Sequence, residues 1–404
     1  MFDKWERKRN RHKCWGHAIS RDGIFWDEQP PILDPLIDNK PGSGSGVVDW
    51  NNTLGLRSGP YKTLLVFYTD YHKGSCIAYS NDRGRTWIRH PKNPILPPTG
   101  DARDPNVFWY APSNEWRMVR FEKKGDSDGF NFYGSKNLLD WKFLSRVEGF
   151  YECPDFFELP VEGGEGERKW VLMSANGAYQ IGTFDGTTFK PESEMLRTEV
   201  GGMFYAPQTW KKTIDGQDSL MQMGFLRYPL EPRLTWHDQM TFPMKLTLRK
   251  LSEGIRVCRQ PIDEIATLWT DRHELHDLSV HPGDNPLSNL HGDLFDIRAD
   301  IEAVNATAFG LTLRGESVRY SVPDEKLTSG KGSAIVKLRD KHLHLQILLD
   351  RSSIEVFPDQ GQVSLSRTFF PDPANKDLGL FTEGGDIHVI SLQVNTLESV
   401  WNGK

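Results

Sequence analysis

Apolar residues in the last third of this chain alternate with polar ones over short spans. Phe309-Gly310-Leu311-Thr312-Leu313, Ser317-Val318-Arg319-Tyr320-Ser321-Val322, Leu343-His344-Leu345-Gln346-Ile347 and Ser353-Ile354-Glu355-Val356-Phe357 each read as one strand, and turn-rich segments separate them. A period of two puts the apolar side chains on one face, so this region predicts a β-sandwich. Upstream, apolar residues again alternate briefly, helical periodicity is scarce, and 36 Gly and 25 Pro supply turns. The expected fold class is all-β.

The N-terminal part also carries an internal echo. Ser20-Arg21-Asp22-Gly23 before Trp26, Ser80-Asn81-Asp82-Arg83-Gly84 before Trp87, and Ser135-Lys136-Asn137 before Trp141 repeat one theme; Thr183-Phe184-Asp185-Gly186 before Phe189 is a weaker copy. A polar turn followed by an aromatic suits a hairpin at a sheet rim with the ring packed beneath it. Recurring in an all-β chain, it predicts propeller blades of about four strands each. The echo stops near residue 265, where Pro261 to Trp269 predicts a helical turn or two. The expected division is a propeller over 1–262, a linker over 263–271 and a sandwich over 272–404.

Composition narrows the classes. A chain of 404 residues with a net charge of -6 spread along its length can bury a sizeable core and has no polyanion-binding character as a whole. No apolar run approaches the ~20 residues that span a bilayer, so no membrane association is expected. The four cysteines, at 14, 76, 153 and 258, lack metal-binding spacing and are expected to be reduced thiols. No apolar segment follows the basic start, so a cytoplasmic location is expected. Lys4, Arg7, Lys8, Arg9, Arg11 and Lys13 form a basic run, but no nucleic-acid module follows and no nucleic-acid partner is expected.

Two carboxylates stand out by context. Asp104 precedes the apolar run Val107-Phe108-Trp109-Tyr110, and Glu152 precedes Phe156-Phe157. Both open new runs after linker-like stretches, which in a propeller places them near the starts of inner strands, around the central axis. Asp104 beside Arg103 is expected to stay ionised, whereas Glu152 among Tyr151, Cys153 and Phe156 is expected to be desolvated and to hold a proton. A divided pair of this kind is what glycoside cleavage requires. Surface carboxylates in turns would give the same local pattern. His273-Glu274-Leu275-His276 with His281 lacks a full zinc-ligand set and reads as solvated histidines. The 13 Trp residues suit sugar stacking, and suit blade cores at least as well.

Several motifs, taken in order, carry a family resemblance: Trp15-Gly16-His17-Ala18-Ile19-Ser20, Ser43-Gly44-Ser45-Gly46-Val47-Val48-Asp49, Ala78-Tyr79-Ser80-Asn81-Asp82-Arg83-Gly84-Arg85-Thr86-Trp87, Arg103-Asp104-Pro105, Glu152-Cys153-Pro154-Asp155, Phe204-Tyr205-Ala206-Pro207-Gln208-Thr209 and Leu349-Asp350-Arg351-Ser352-Ser353-Ile354-Glu355-Val356-Phe357. Together they resemble glycoside hydrolase family 32, the β-fructofuranosidases that include invertases, levanases and inulinases. The resemblance implies a five-bladed β-propeller followed by a β-sandwich, and a retaining mechanism without metal or other cofactor. It implies sucrose or a fructo-oligosaccharide or fructan as substrate. By the same resemblance Glu152 is the general acid/base, Asp104 the transition-state stabiliser, and Ser43, Arg103 and Cys153 pocket neighbours.

The sequence also departs from the family. The nucleophile is an Asp in a Trp-Met-Asn-Asp-Pro-Asn-Gly-like motif upstream of Trp-Gly-His, and this motif and the strand after it are expected to be missing here. Catalysis is therefore expected to be impaired, or rerouted through Asp3, Asp49, an Asp of a second subunit, or direct attack by water. An incomplete first blade would leave a sheet edge for a homodimer. Met203 stands where the family has Asp, and Gly224-Phe225-Leu226-Arg227-Tyr228 where it has a Trp-containing segment, so an altered sugar pocket is expected. Two function classes follow: a β-fructofuranosidase with weakened chemistry, or a non-catalytic fructan-binding or structural pseudoenzyme. An arabinan- or xylan-type hydrolase is a third, against which the sandwich motifs speak.

Overall fold

The computed structural model describes residues 14–33, 41–214, 217–227 and 238–401. The basic run, Asp3 and Tyr228 lie outside the described residues.

Two antiparallel strands, Trp15–Ser20 and Trp26–Ile32, come first. Four blades follow, each built on four antiparallel strands in sequence order. Their innermost strands are Pro41–Asp49, Arg103–Tyr110, Asp155–Glu162 and Phe204–Ile214. The architecture is a five-bladed β-propeller whose first blade is represented by two strands among the described residues, followed by a β-sandwich. Neighbouring inner strands touch: Val107 N–H donates to Ser45 Oγ at 3.0 Å, joining the third blade to the second.

The echoed turns are one device used three times. Ser20 Oγ accepts Gly23 N–H at 2.8 Å and donates to Asp22 Oδ1 at 3.0 Å, while Trp26 Nε1 donates back to Gly23 O at 3.0 Å. Ser80, Asp82, Gly84 and Trp87 repeat the pattern at 2.8, 2.7 and 2.8 Å. Ser135, Asn137, Leu138 and Trp141 repeat it at 2.9, 3.2 and 3.0 Å, with Asn137 in the carboxylate's place. Each turn joins the last two strands of its blade, and Trp15–Ser20 with Trp26–Ile32 therefore occupies the place of a blade's last two strands. The Thr183 copy is looser: Asp185 Oδ1 holds Thr187 and Thr188 N–H at 2.7 Å each, and Phe189 packs into the aromatic core.

That core lies between the third and fourth blades. Phe156 stacks on Trp170 at 4.6 Å and meets Phe108, Phe132 and Phe184 at 5.1–5.5 Å. Such pairs add about 0.5–1.5 kcal/mol each beyond area burial, and they fix the strand that follows Glu152 against the blade that carries Asp104.

The segment expected to link the domains contains a 3-10 helix, Asp263–Leu268, and the first sandwich strand, Trp269–Val280, starts inside it, ahead of the boundary expected at residue 272. A six-stranded and a five-stranded sheet then enclose one core of alternating residues, among them Ile297, Ile301, Phe309, Leu311, Ile347 and Val356. The two domains share a second cluster, in which Ile24, Met221, Met244 and Ile262 meet Leu348, Phe357 and Leu397. A short strand-like pairing reinforces it: Val200 N–H donates to Ser364 O at 2.9 Å and Ser364 N–H to Thr198 O at 2.8 Å. No helix among the described residues is long and apolar enough to cross a membrane.

Candidate active site

Inner strands carry the site, and they are irregular where they do so. Strand register shifts between Pro41 and Gly44, between Arg103 and Asn106, and between Tyr205 and Gln208. Bulges release residues from the ladder and re-aim side chains. The residues inside these three are Gly42 and Ser43, Asp104 and Pro105, and Ala206 and Pro207. Asp104 has φ +60°, Ala206 +49°, and in the fourth blade Glu152 and Cys153, just before their strand, +53° and +43°. Left-handed backbone at non-glycine residues costs about 1–3 kcal/mol each and clusters at functional sites. Close backbone approach helps to set the second blade: a Cβ on Gly44 would lie 1.8 Å from Phe67 O.

These irregular strand starts bring Ser43, Arg103, Asp104, Glu152 and Cys153 together. Arg103 donates to Glu152 Oε1 from Nε at 3.1 Å and from Nη2 at 2.8 Å, and it is ion-paired through Nη1 with Asp101. Its planar guanidinium lies 4.2 Å over the Phe121 ring and 5.7 Å over Tyr151. Burial pulls its pKa down, but Asp101 and Glu152 more than restore it, so it stays charged. Asp104 is 5% exposed; its N–H donates to Thr69 Oγ1 at 2.8 Å, and its Oδ2 accepts Cys153 N–H at 3.0 Å and faces Cys153 Sγ at 3.5 Å. The Ser43 hydroxyl acts on the same thiol, lowering its pKa against the larger effect of burial. Tyr205 OH donates to Glu152 Oε2, so both oxygens of that carboxyl carry partners.

Arg103 holds Asp104 less firmly than its place in the chain implies. Chain adjacency suggested that Arg103 would hold Asp104 ionised, yet the guanidinium fork is aimed at Glu152 and Arg103 Nε stays 3.8 Å from Asp104 Oδ2. Burial therefore dominates at Asp104 and pushes its carboxyl up to about 6, although Cys153 N–H and Arg103 pull it down. The Cys153 thiol is driven well above its ordinary range by burial and then by Asp104, which leaves it protonated and unreactive. Asp155 lies fully inside, held by Thr209 Oγ1 at 2.8 Å, and burial raises it to about 7; it pins the Glu152 segment to the fifth blade.

Asp49 is no stand-in for a nucleophile. It lies at the far end of the strand that begins beside Ser43, 1% exposed, and caps a turn by accepting Thr53 N–H at 2.8 Å and Leu54 N–H at 3.1 Å. Among the described residues no three His, Cys, Asp or Glu side chains stand grouped to hold a metal ion. His276 and His281 pair separately with Glu274 and Asp386.

Residues 1–261 match the glycosyl hydrolases family 32 N-terminal domain, and residues 264–396 the family's C-terminal domain. The chain belongs to glycosyl hydrolase family 32. It is 34% identical to a levanase of Bacillus subtilis (strain 168) over 96% of its length and 64% of that protein's. It is 33% identical to a levanase of Bacillus sp. (strain L7) over 96% of its length and 48% of that protein's. The chain thus spans less than two thirds of either levanase. The crystal structure of an exo-inulinase from Aspergillus awamori superimposes with a TM-score of 0.84 at 24% identity, covering 96% of this chain and 91% of that one, and shares its fold.

Within this family 32 site, residue-level reasoning missed Thr69, Tyr205 and Arg227. Thr69 lies near the end of the strand Thr63–Asp70, whose run of buried apolar residues gives no hint of a polar task. Tyr205 was visible as part of a motif but had no role, and Arg227 lies 3.2 Å over its ring. Tyr71 and Tyr151, 52% and 47% exposed, add aromatic surface at the rim; burial and then Asp104 raise the Tyr71 phenol.

Proposed function

We propose that the protein is a β-fructofuranosidase-type glycoside hydrolase that removes terminal fructosyl residues from sucrose or fructans. One observation carries the proposal: Asp104 and Glu152, on adjoining blades and both in left-handed backbone, meet around one arginine. The names of the two levanase relatives support a fructan substrate. Glu152, with 21% of its side chain exposed, gives its proton to the leaving oxygen and later takes one from water. Asp104, ionised above about pH 6, holds fructosyl hydroxyls and faces the positive charge that develops on the ring. Arg103 orients Glu152, while Ser43 and Cys153 hold the wall beside Asp104.

Retaining cleavage also needs a carboxylate nucleophile. The family's Trp-Met-Asn-Asp-Pro-Asn-Gly-like motif is not among these 404 residues, and for these residues alone we propose impaired catalysis or direct attack by water. The test is fructose release from sucrose, inulin and levan by the chain and by Glu152→Ala. Release by the first and loss in the second is expected; equal release from both contradicts the assignment. Turnover appearing only with azide or formate would place the defect at the nucleophile. Binding without release under every condition would make the protein a fructan-binding pseudoenzyme instead.

A further inference from the structure

A buried cation lies behind the site, at the seam between the domains. Arg259 is 0% exposed, yet its Nη1 has a single hydrogen bond, to Ser364 Oγ of the sandwich at 3.0 Å, and stands 3.5 Å from Glu199 Oε2. Its Nε and Nη2 meet no protein acceptor. Glu199 is fully committed elsewhere: Gly201 and Ser366 N–H reach Oε1 at 2.6 and 2.8 Å, and Ser364 and Ser366 hydroxyls reach Oε2 at 2.7 and 2.9 Å. Glu355, the other carboxyl acting on Arg259, accepts Phe242 N–H at 3.0 Å and leaves Oε2 without a protein partner. Burying a charge with unpaired donors is costly, and well-packed apolar groups commonly serve stability as well or better.

The flat face of this guanidinium has one evident use. Arg259 Cζ lies 4.1 Å over the ring of Phe204. Gly224 also closes on that ring, so that a Cβ there would come within 2.5 Å of Phe204 Cε2, and Gly177 approaches Cε1, its Cβ position 3.5 Å away. Phe204 therefore has little room to move, and the next residue, Tyr205, donates to Glu152 Oε2.

We propose that Arg259 is a positioning residue for Glu152: held by Ser364 and Glu199, it fixes Phe204 and thereby aims the Tyr205 hydroxyl at the carboxyl. The sandwich domain, which supplies no side chain to the pocket described above, reaches the acid through this relay. The inference rests on the assignment of Glu152 as the acid, but the relay has a readout that needs no turnover.

The full chain is labelled with 13Cζ-tyrosine, and the Tyr205 resonance is assigned with Tyr205→Phe. Arg259→Lys keeps the charge and loses the planar face; Phe204→Leu keeps bulk and loses the ring, and carries the test if Arg259→Lys does not fold. Both are expected to move the Tyr205 resonance, as is Glu152→Gln, while the Tyr320 resonance in the sandwich core stays in place. In turnover, Arg259→Lys is expected to lower kcat about tenfold or more with KM within about twofold. The double variant with Tyr205→Phe should be no slower than Tyr205→Phe alone, because both changes break one relay. An unmoved Tyr205 resonance in the folded variants, or additive losses in the double variant, overturns the proposal. A moved resonance in a protein that never releases fructose overturns the hydrolase assignment and leaves the relay standing.

Discussion

Arg103 gives two hydrogen bonds to a single oxygen of Glu152, at 2.8 and 3.1 Å, while its own chain neighbour Asp104 stands 3.8 Å away. The fork fixes where the acid's carboxyl points. Lysine keeps the charge but offers no planar pair of donors. Arg103→Lys is therefore expected to lower kcat on sucrose by about ten- to a hundredfold, the scale of a small misplacement of a catalytic group, with the fold intact by circular dichroism.

Asp104 makes activity and stability move oppositely with pH. Its work requires the carboxylate, so kcat/KM is expected to fall as pH drops through about 6. For stability, a folded pKa raised above the ordinary 3.8 means the native state binds the proton more tightly. The contribution is complete below about 3.8 and is lost as pH rises through about 6. Over that shift it amounts to about 3 kcal/mol. Asp104→Asn should accordingly be more stable than wild type at pH 7 in urea melts, gain nothing at pH 3.5, and lose activity.

Cys153 tunes the same carboxyl. A hydroxyl is a stronger donor than a thiol, so Cys153→Ser should favour the Asp104 carboxylate and shift the acid limb of kcat/KM to lower pH. An unshifted limb would remove Cys153 from this role.

The repeated turns predict local stability. Asp82 is held near 2 by the Thr86 hydroxyl and N–H and by Ser80, and its Oδ2 takes the Thr86 hydroxyl at 2.6 Å. Asp82→Ala is expected to cost about 1–2 kcal/mol in denaturant unfolding without changing KM.

How much of this was legible in the sequence follows from what each feature depends on. The Ser-x-Asp or Ser-x-Asn turns are local, built from side chain to backbone bonds within a few residues, so Ser20, Ser80 and Ser135 mark the blades in the sequence itself. Asp104 and Glu152 were visible because each opens an apolar run at an inner strand. The bulges at Ser43, Asp104 and Ala206 were not, since a register shift depends on the partner strand. That Arg103 would dominate its neighbour Asp104 could not be judged from adjacency for the same reason: the guanidinium answers to Glu152, 49 positions away, and burial raises Asp104 to about 6. Asp49 looked available by type and proved to be a turn cap. Arg259 gave no signal at all, because Phe204, Glu199 and the sandwich's Ser364 all lie far from it along the chain.

The central claim, that Glu152 protonates the leaving group, is tested most directly by comparing sucrose with β-fructosyl fluoride, whose leaving group needs far less protonation, as substrates for Glu152→Ala. The account predicts a loss of about 10²–10⁴-fold on sucrose and no more than about tenfold on the fluoride. Equal losses on both substrates, or undiminished release of fructose from sucrose, would contradict it.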